Sequence, residues 1–327
     1  MSSGGARSTA PAEGAAALAH RAAATSADID AALAADDLRE VARAVAGAGV
    51  AEDDGARLVA GFATDPRARD TLTALKRRLN DAGALPSATT LERLLLLRAM
   101  RTHLDRVRAV RVSPAVHRLF YEEFSLCARP DARRAPLFAL GLPTFSATCE
   151  VATLARFPAG QLHWNVSGLP RRTLAEVSPA RLPRVLWFVL ARMRGFAPAF
   201  FSHANGLRRN RFIWVEEESN RSYHRMAASL ELQPATVGLV TSSWFHDPEV
   251  ATTSPHLAWT NRVIVENGGL VVRLGEAPAD AGFLDNNESR RAAYEAGTYR
   301  PHLGLVLWPR DAMIDWARRN PKYADAG

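Results

Sequence analysis

The chain of 327 residues is 47% apolar and carries a formal charge of +7 at neutral pH. This much apolar composition can form a sizeable core and excludes an intrinsically disordered protein. Only Lys76 and Lys322 of the 41 basic residues are lysines, and the arginines alternate with acids along the chain instead of forming a basic tail. This distribution argues against nucleic-acid binding but is compatible with an anionic ligand or an acidic partner.

The cysteine pattern and the first residues favour a cytoplasmic protein. Cys127 and Cys149 lack the CxxC spacing of a zinc ribbon and are too few for a disulfide framework. Residues 1–25 are rich in Ala, Gly, Ser and Pro without the continuous apolar segment of a secretory signal, so we expect a mobile tail. The longest strongly apolar run, VLWFVLARM at 185–193, is too short to cross a bilayer.

The pattern from residue 26 to residue 123 is helical. The segments SADIDAALAADDLREVARAVAGAG and DPRARDTLTALKRRLNDAG each begin at a capping residue and end at glycine, and SATTLERLLLLRAMRTHLDRVRAV is amphipathic. All seven tryptophans lie between Trp164 and Trp316. We therefore expect a helical domain at 26–130 and a mixed α/β domain at 131–327.

Strands and helices alternate after Pro130. The segments TCEVATLARF (148–157) and QLHWNVSGL (161–169) each alternate apolar and polar residues and predict an antiparallel hairpin. SPARLPRVLWFVLARMRG (178–195) is apolar almost all round, which predicts a helix buried against a sheet. The later strands are predicted at PAFFSH, RFIWVE, VGLVTSSWF, LVVRL and LGLVLW, and they alternate with helices, the first of which starts at Ser219 or Asn220. The expected fold is a mixed, mostly antiparallel sheet with helices on its faces.

The order of elements between residues 148 and 245 is defined by four consecutive segments. They are QLHWNVSGLPRR, SPARLPRVLWFVLARMRG, FAPAFFSH and SNRSYHRMAASLEL. This order resembles the GNAT superfamily of N-acyltransferases. The resemblance implies a GNAT-like fold and transfer of an acyl group from a thioester donor to a small-molecule amine. It also implies that the strands at 161–169 and 197–203 separate in a V, which admits the pantetheine arm of the donor.

The resemblance assigns Gly168, Arg171, Arg172 and Arg184 to the phosphates of the donor. The spaced glycines of the family's phosphate loop are missing, and Pro170 lacks an N–H donor. The donor is therefore either coenzyme A or an acidic acyl carrier protein that meets the arginines of this region. Neither is expected to stay tightly bound.

Transfer to an amine requires a group that takes the amine's proton and one that protonates the leaving thiolate. The resemblance implies that Tyr223 is the general acid and that Glu216, Glu217 or Glu150 is the base. In the purely structural interpretation, Tyr223 lies in the core and the glutamates complement the positive start of a helix. The remaining polar candidates for the substrate cleft are His163, Asn165, His203 and Asn220.

A different hypothesis uses the segment SSWFHDPEVATTSPHL. It places His246, Asp247, Glu249 and His256 within eleven residues. Two histidines and a carboxylate can form the non-haem iron centre of an oxygenase or hydrolase. The alternative is a strand end, a turn and a helix start whose histidines bond locally. A third hypothesis is a non-enzymatic protein whose helical domain binds a partner.

Overall fold

The computed structural model describes residues 10–129, 137–140, 142–204, 215–278 and 288–325, with the side chains of residues 10–13, 52 and 171 excepted. Most of the strand expected at RFIWVE lies outside these residues. The helices of the first half are α1 (Ala10–Leu33), α2 (Asp36–Gly47), α3 (Glu52–Gly61), α4 (Pro66–Asp81), α5 (Thr90–His103), α6 (Pro114–Ala128) and α7 (Pro143–Ala152).

Helix α4 illustrates how the sequence sets the helix ends. The Asp65 carboxylate accepts a hydrogen bond from the Arg67 N–H at 2.9 Å, and Pro66 occupies the first helical position, where an N–H has no helical partner. Gly83 ends the helix with a φ of 65°, a value that glycine adopts easily. Helices are confirmed in the described part of 26–123.

The expected mobile tail is wrong for residues 10–25, which belong to α1. Thr25 is buried and its hydroxyl donates to the Tyr121 carbonyl at 3.3 Å, while Leu18 and Ala22 pack against the core. Alanine-rich sequence is also the strongest helix former. Composition alone therefore did not distinguish a tail from a packed helix.

The strand expected at 148–157 is also wrong, because residues up to Ala152 form α7. Pro143 starts this helix, and the buried Phe145, Cys149 and Ala152 recur at helical spacing. The hairpin is reduced to β1 (Phe157–Pro158) and β2 (Leu162–Ser167), joined by a turn in which Gly160 has a φ of 112°.

The remaining elements follow the predicted alternation of helices and strands. They are α8 (Arg171–Ala175), α9 (Leu182–Ala191), β3 (Ala199–Ala204), α10 (Glu216–Glu231), β4 (Gly238–Ser243), α11 (Val250–Thr253), α12 (Trp259–Glu266), β5 (Leu270–Glu276), α13 (Glu288–Glu295), β6 (His302–Pro309) and α14 (Arg310–Arg319). Among the described helices, none is both long enough and apolar enough to cross a membrane.

The described strands form one sheet in the order β1-β2-β3-β4-β6-β5. Neighbouring strands are antiparallel except β3 and β4, which are parallel and are connected through α10. Helices lie on both faces of the sheet. The mixed, mostly antiparallel α+β fold is therefore confirmed.

The expected separation of β2 from β3 is wrong. These strands pair continuously over six residue pairs, from Leu162 opposite Ala204 to Ser167 opposite Ala199. The short ladder lies instead between β3 and β4, where only Phe200–Leu239 and Phe201–Val240 are paired. An antiparallel neighbour therefore fills the side of β3 on which we expected an opening.

Two hydrophobic clusters cover the two faces of the sheet. The larger cluster joins the helices of the first half to α10, α14 and one face, and it includes Trp164 and Trp308. The smaller cluster packs Val185 and Val189 of α9 against the other face. The expected helix against the sheet is therefore confirmed, although Trp187 on its outer side is 61% exposed.

Helix α10 begins earlier than the sequence indicated. Its N-cap is Val215, so Ser219 and Asn220 are not caps but buried residues inside the helix. Glu216, Glu217 and Glu218 form its first turn. Carboxylates at this position interact favourably with the partial positive charge of the helix start, as expected, although they lie within the helix and not before it.

Candidate functional site at the carboxyl end of the parallel strands

The parallel strands β3 and β4 both end at the same edge of the sheet. A backbone bond from the Val237 N–H to the Pro198 carbonyl (2.9 Å) starts their pairing. At its end, the Thr241 hydroxyl donates to the Ser202 carbonyl at 2.9 Å. Beyond the two paired rows, residues 202–204 and 241–243, all of which are described, have no ladder partners between the two strands. We call this stretch the β3–β4 gap.

The first turns of α10 and α12 and the turn before β2 make contacts at this edge of the sheet. The Ser219 hydroxyl of α10 donates to the Gln161 side chain at 2.8 Å, and Gln161 directly precedes the strand residue that pairs with the end of β3. Arg262 of α12 donates to the Glu216 carboxylate of α10 at 3.1 Å. The carboxyl ends of parallel strands are the usual ligand site of open α/β sheets.

One face of the sheet at this edge is polar. The strand register places His163 and Asn165 of β2, His203 of β3 and Ser242 of β4 on the same face. The His203 Nε2–H donates to Asn165 Oδ1 at 3.1 Å, which leaves Nδ1 as the acceptor nitrogen. His203 and Asn165, both candidates from the sequence, thus meet next to the β3–β4 gap because β2 and β3 pair.

Burial first, and then the charges of Arg156 and His163, lower the pKa of His203 to about 3. The imidazole therefore remains neutral at physiological pH. A neutral histidine with so low a pKa is a weak proton acceptor, so its role here is to donate and accept hydrogen bonds.

His163 lies opposite His203 but does not line a cleft. Its side chain is fully buried, and its Nε2–H donates to the equally buried Glu123 carboxylate of α6 at 3.0 Å. Sequence analysis missed Glu123, although a charged residue between Phe120 and Phe124 on an apolar helix face signals a buried partner. The pair connects the helices of the first half to the sheet.

The four expected acid–base residues have structural contacts of their own. Tyr223 is 3% exposed and its ring packs edge-on against Trp308 and Trp316, while burial raises the pKa of its phenol. Trp308 pairs with Leu239 near the amino end of β4, away from the β3–β4 gap. The expectation that Tyr223 faces a cleft is therefore wrong, and the structural interpretation is confirmed for this residue.

The expected carboxylate bases are all in ion pairs. The Arg156 Nε donates to the Glu150 carboxylate at 2.5 Å, and Glu150 lies on α7 and not on a strand. Glu217 pairs with Arg221 at 2.6 Å. Of these carboxylates, Glu216 is the one that forms its ion pair with α12, through Arg262. Asn220, one turn later, is buried, and its Oδ1 has no hydrogen-bond partner among the described residues.

The residues expected to hold the donor's phosphates do not form a shared site in the described contacts. Gly168 is exposed, with no atom within 4 Å of where a Cβ would lie. Arg172 is exposed and donates to Glu176 at 3.3 Å, and Arg184 lies on the exposed side of α9. The side chain of Arg171 lies outside the described residues.

The four residues of the metal hypothesis bond to other side chains or face solvent, and Asp247 and Glu249 share Arg273 as an ion-pair partner. A hydrogen bond joins His246 Nδ1 to Asn261 Oδ1 at 2.9 Å, and Asp247 accepts from the His302 N–H at 3.0 Å. Glu249 pairs with Arg273, and His256 is exposed. Within the described ranges, no group of three or more His, Cys, Asp or Glu side chains could hold a metal ion.

We compared the chain with protein-family models, with curated protein sequences and with solved structures. None of them matches it.

Proposed function

We propose that this protein is an acyltransferase that binds a thioester donor in the β3–β4 gap and transfers its acyl group to an amine. The observation that carries the proposal is the parallel pair itself, whose ladder ends after two rows at the edge where α10 begins. In the GNAT superfamily, which the order of elements resembles, a separation of two central strands admits the pantetheine arm.

The main chain at the β3–β4 gap suits such an arm. The Ser202 carbonyl accepts from the Thr241 hydroxyl, and beyond this bond residues 203–204 and 242–243 have main-chain groups without ladder partners between the strands. The two amide groups of a pantetheine arm can bond to these groups as an added strand would. The half-buried Ser242 and Ser243 keep the end of the gap polar.

The reaction needs few protein groups. The amine nitrogen attacks the thioester carbonyl carbon, a C–N bond forms, the C–S bond breaks, and the sulfur leaves as a thiolate that takes up a proton. We assign the binding of the substrate's polar atoms to His203 and Asn165, which already form a hydrogen-bonded pair. We assign the removal of the amine proton to Glu216, the first residue of α10, whose carboxylate bonds to Arg262 of α12.

The first turn of α10 also bears on the choice of donor. A helix start normally attracts phosphate groups through its free N–H groups. Here Glu216, Glu217 and Glu218 occupy that turn and would repel the pyrophosphate of coenzyme A. A carrier-protein donor has a single phosphodiester at the same distance from the thioester, so it brings less negative charge to this turn than the pyrophosphate of coenzyme A and suits this site better.

Filling the β3–β4 gap tests the proposal. We expect Ser242→Trp to weaken the binding of acyl-pantetheine by about tenfold or more, because an indole occupies the space of the arm. The matched control is Ser167→Trp, which changes another half-buried serine, on β2. Titration calorimetry measures the affinity of each variant for acyl-pantetheine.

The wild-type protein is titrated with acyl-coenzyme A, acyl-pantetheine and an acylated carrier protein. If it binds none of the three, the proposed function is wrong. Equal affinity of the two tryptophan variants and the wild type would place the donor elsewhere.

A further inference from the structure

The outer side of α9 exposes large apolar side chains. Trp187 and Leu190 are each 61% exposed and lie one helical turn apart, and Phe196, just after the helix, is 50% exposed. The opposite side of α9 packs against the sheet through Val185 and Val189. Neighbouring exposed apolar side chains of this size indicate a contact surface for a partner.

The charged residues next to α9 along the chain are arginines. The described residues 177–204 contain Arg181, Arg184, Arg192 and Arg194 and no aspartate or glutamate. Within the described part, Arg184 precedes Trp187 by one turn and forms no ion pair with a described residue. Arg194 is neutralised by Asp311 at 2.6 Å. The α9 surface, defined as Arg184, Trp187 and Leu190, therefore has an apolar centre and a basic rim.

The beginning of α9 lies at the same edge of the sheet as the β3–β4 gap. The Arg181 side chain, just before α9, donates to the Arg273 carbonyl at 3.4 Å. Arg273 of β5 pairs with Gly304 of β6, and Gly304 pairs with Ser243, the last residue of β4. A partner bound to the α9 surface is therefore placed near the carboxyl end of β4.

We propose that the α9 surface docks an acidic acyl carrier protein, which delivers the acyl group to the β3–β4 gap on its phosphopantetheine arm. This inference rests on the proposed function. Acidic side chains of the carrier complement Arg184, and its apolar side chains cover Trp187 and Leu190. The carrier's arm brings a single phosphodiester, so the carboxylates of α10 repel it less than they repel the pyrophosphate of coenzyme A.

Two variants test the docking, Arg184→Glu and Trp187→Ser. Both change exposed side chains, and the melting temperature verifies that each variant folds. The matched control is Arg43→Glu, which makes the same charge change at an exposed position of α2. The probes are an acylated carrier protein and acyl-pantetheine, which carries the arm without the protein.

We expect each variant to bind the carrier protein about tenfold more weakly, since exposed Trp and Arg at an interface contribute most of its affinity. Arg43→Glu retains wild-type binding. All four proteins bind acyl-pantetheine equally, because the arm does not touch α9.

Unchanged carrier binding in both variants overturns the docking. A second result also overturns it: the wild type does not bind the carrier protein but binds phosphatidylglycerol vesicles, and the variants lose this vesicle binding. That result would assign the surface to a lipid. If the variants lose carrier binding but the wild type transfers no acyl group from either donor, the docking stands and the proposed function fails.

Discussion

Gly304 of β6 is a position where the fold leaves no room for a side chain. A Cβ there would lie 2.0 Å from the carbonyl oxygen of His246 and 2.2 Å from its carbonyl carbon. Both obstacles are backbone atoms of the turn that follows β4, so they cannot rotate away. The close approach holds this turn against the sheet beside the β3–β4 gap.

We expect Gly304→Ala to lower the free energy of unfolding by about 3 kcal/mol or more, because the methyl group forces the turn away from the sheet. Chemical denaturation measures this loss. The matched control is Gly275→Ala in β5, where a Cβ meets no atom within 4 Å and the change should be small. Equal effects of the two substitutions would contradict the steric argument.

His246 predicts an acid-sensitive fold. Burial lowers the pKa of its imidazole to about 4, although the hydrogen bond that its Nδ1–H donates to Asn261 opposes this effect. In the unfolded chain His246 is protonated as the pH falls through about 6.5, whereas in the folded protein it is protonated only near pH 4. The contribution of the neutral His246 is therefore complete above pH 6.5 and decreases as the pH falls toward 4.

The expected decrease from His246 is about 2 kcal/mol between pH 7 and pH 5. His246→Gln removes this proton uptake, so the variant should lose less stability than the wild type over the same interval, even if it is less stable at pH 7. Denaturation curves at both pH values give the difference. Parallel losses in the two proteins would show that His246 is not the acid-sensitive group.

At the scale of elements, α1 shows that a segment rich in Ala, Gly, Ser and Pro can form a packed helix. In residues 14–25, the partly buried Leu18 and Ala22 pack against the core, and the Thr25 hydroxyl donates a hydrogen bond to α6. Arg21 pairs with Glu122 of α6 at 3.8 Å. The type of α7 was also ambiguous from local pattern, because an alternating pattern of ten residues fits helical spacing as well as a strand. Burial against α5 selects the helix.

We expect deletion of residues 1–25 to destabilise the protein by about 3 kcal/mol, because it exposes the surface of α6 that Leu18 and its neighbours cover. Deletion of residues 1–13 is the matched control and should leave the melting temperature nearly unchanged. Calorimetry compares the two truncations. If both behave as the full chain, α1 does not stabilise the fold.

At the scale of the whole molecule, one hydrophobic cluster joins both halves of the chain. It extends from Ile29 in α1 to Ala317 in α14. Polar bonds cross the same contact: the Ser113 N–H donates to the Ser229 hydroxyl at 3.1 Å, and the Gln233 amide donates to the Arg111 carbonyl at 2.7 Å. The domain boundary near residue 130 stays a prediction, but the halves share a core.

A shared core predicts a single cooperative unfolding transition. All seven tryptophans lie in the second half, so tryptophan fluorescence follows that half, whereas far-ultraviolet circular dichroism follows the helices of both. The two signals should change at the same denaturant concentration. A loss of helical signal that precedes the fluorescence change would mean that the first half unfolds separately.

The sequence by itself determined the class of this fold and most of its strands. β3, β4, β5 and β6 lie where the apolar runs predicted them. These features depend on local pattern, which the pleat and the helix period convert directly into structure.

Only the tertiary structure decided which strands separate and which polar residues face that gap. β3 has two possible neighbours, and the choice of β2 as its continuous partner depends on pairing across 30 or more residues of chain. The same holds for Tyr223, whose burial depends on Trp308 and Trp316, about 90 residues away. Local pattern contains no information on such contacts, because distant segments compete for the same strand edge and the same core.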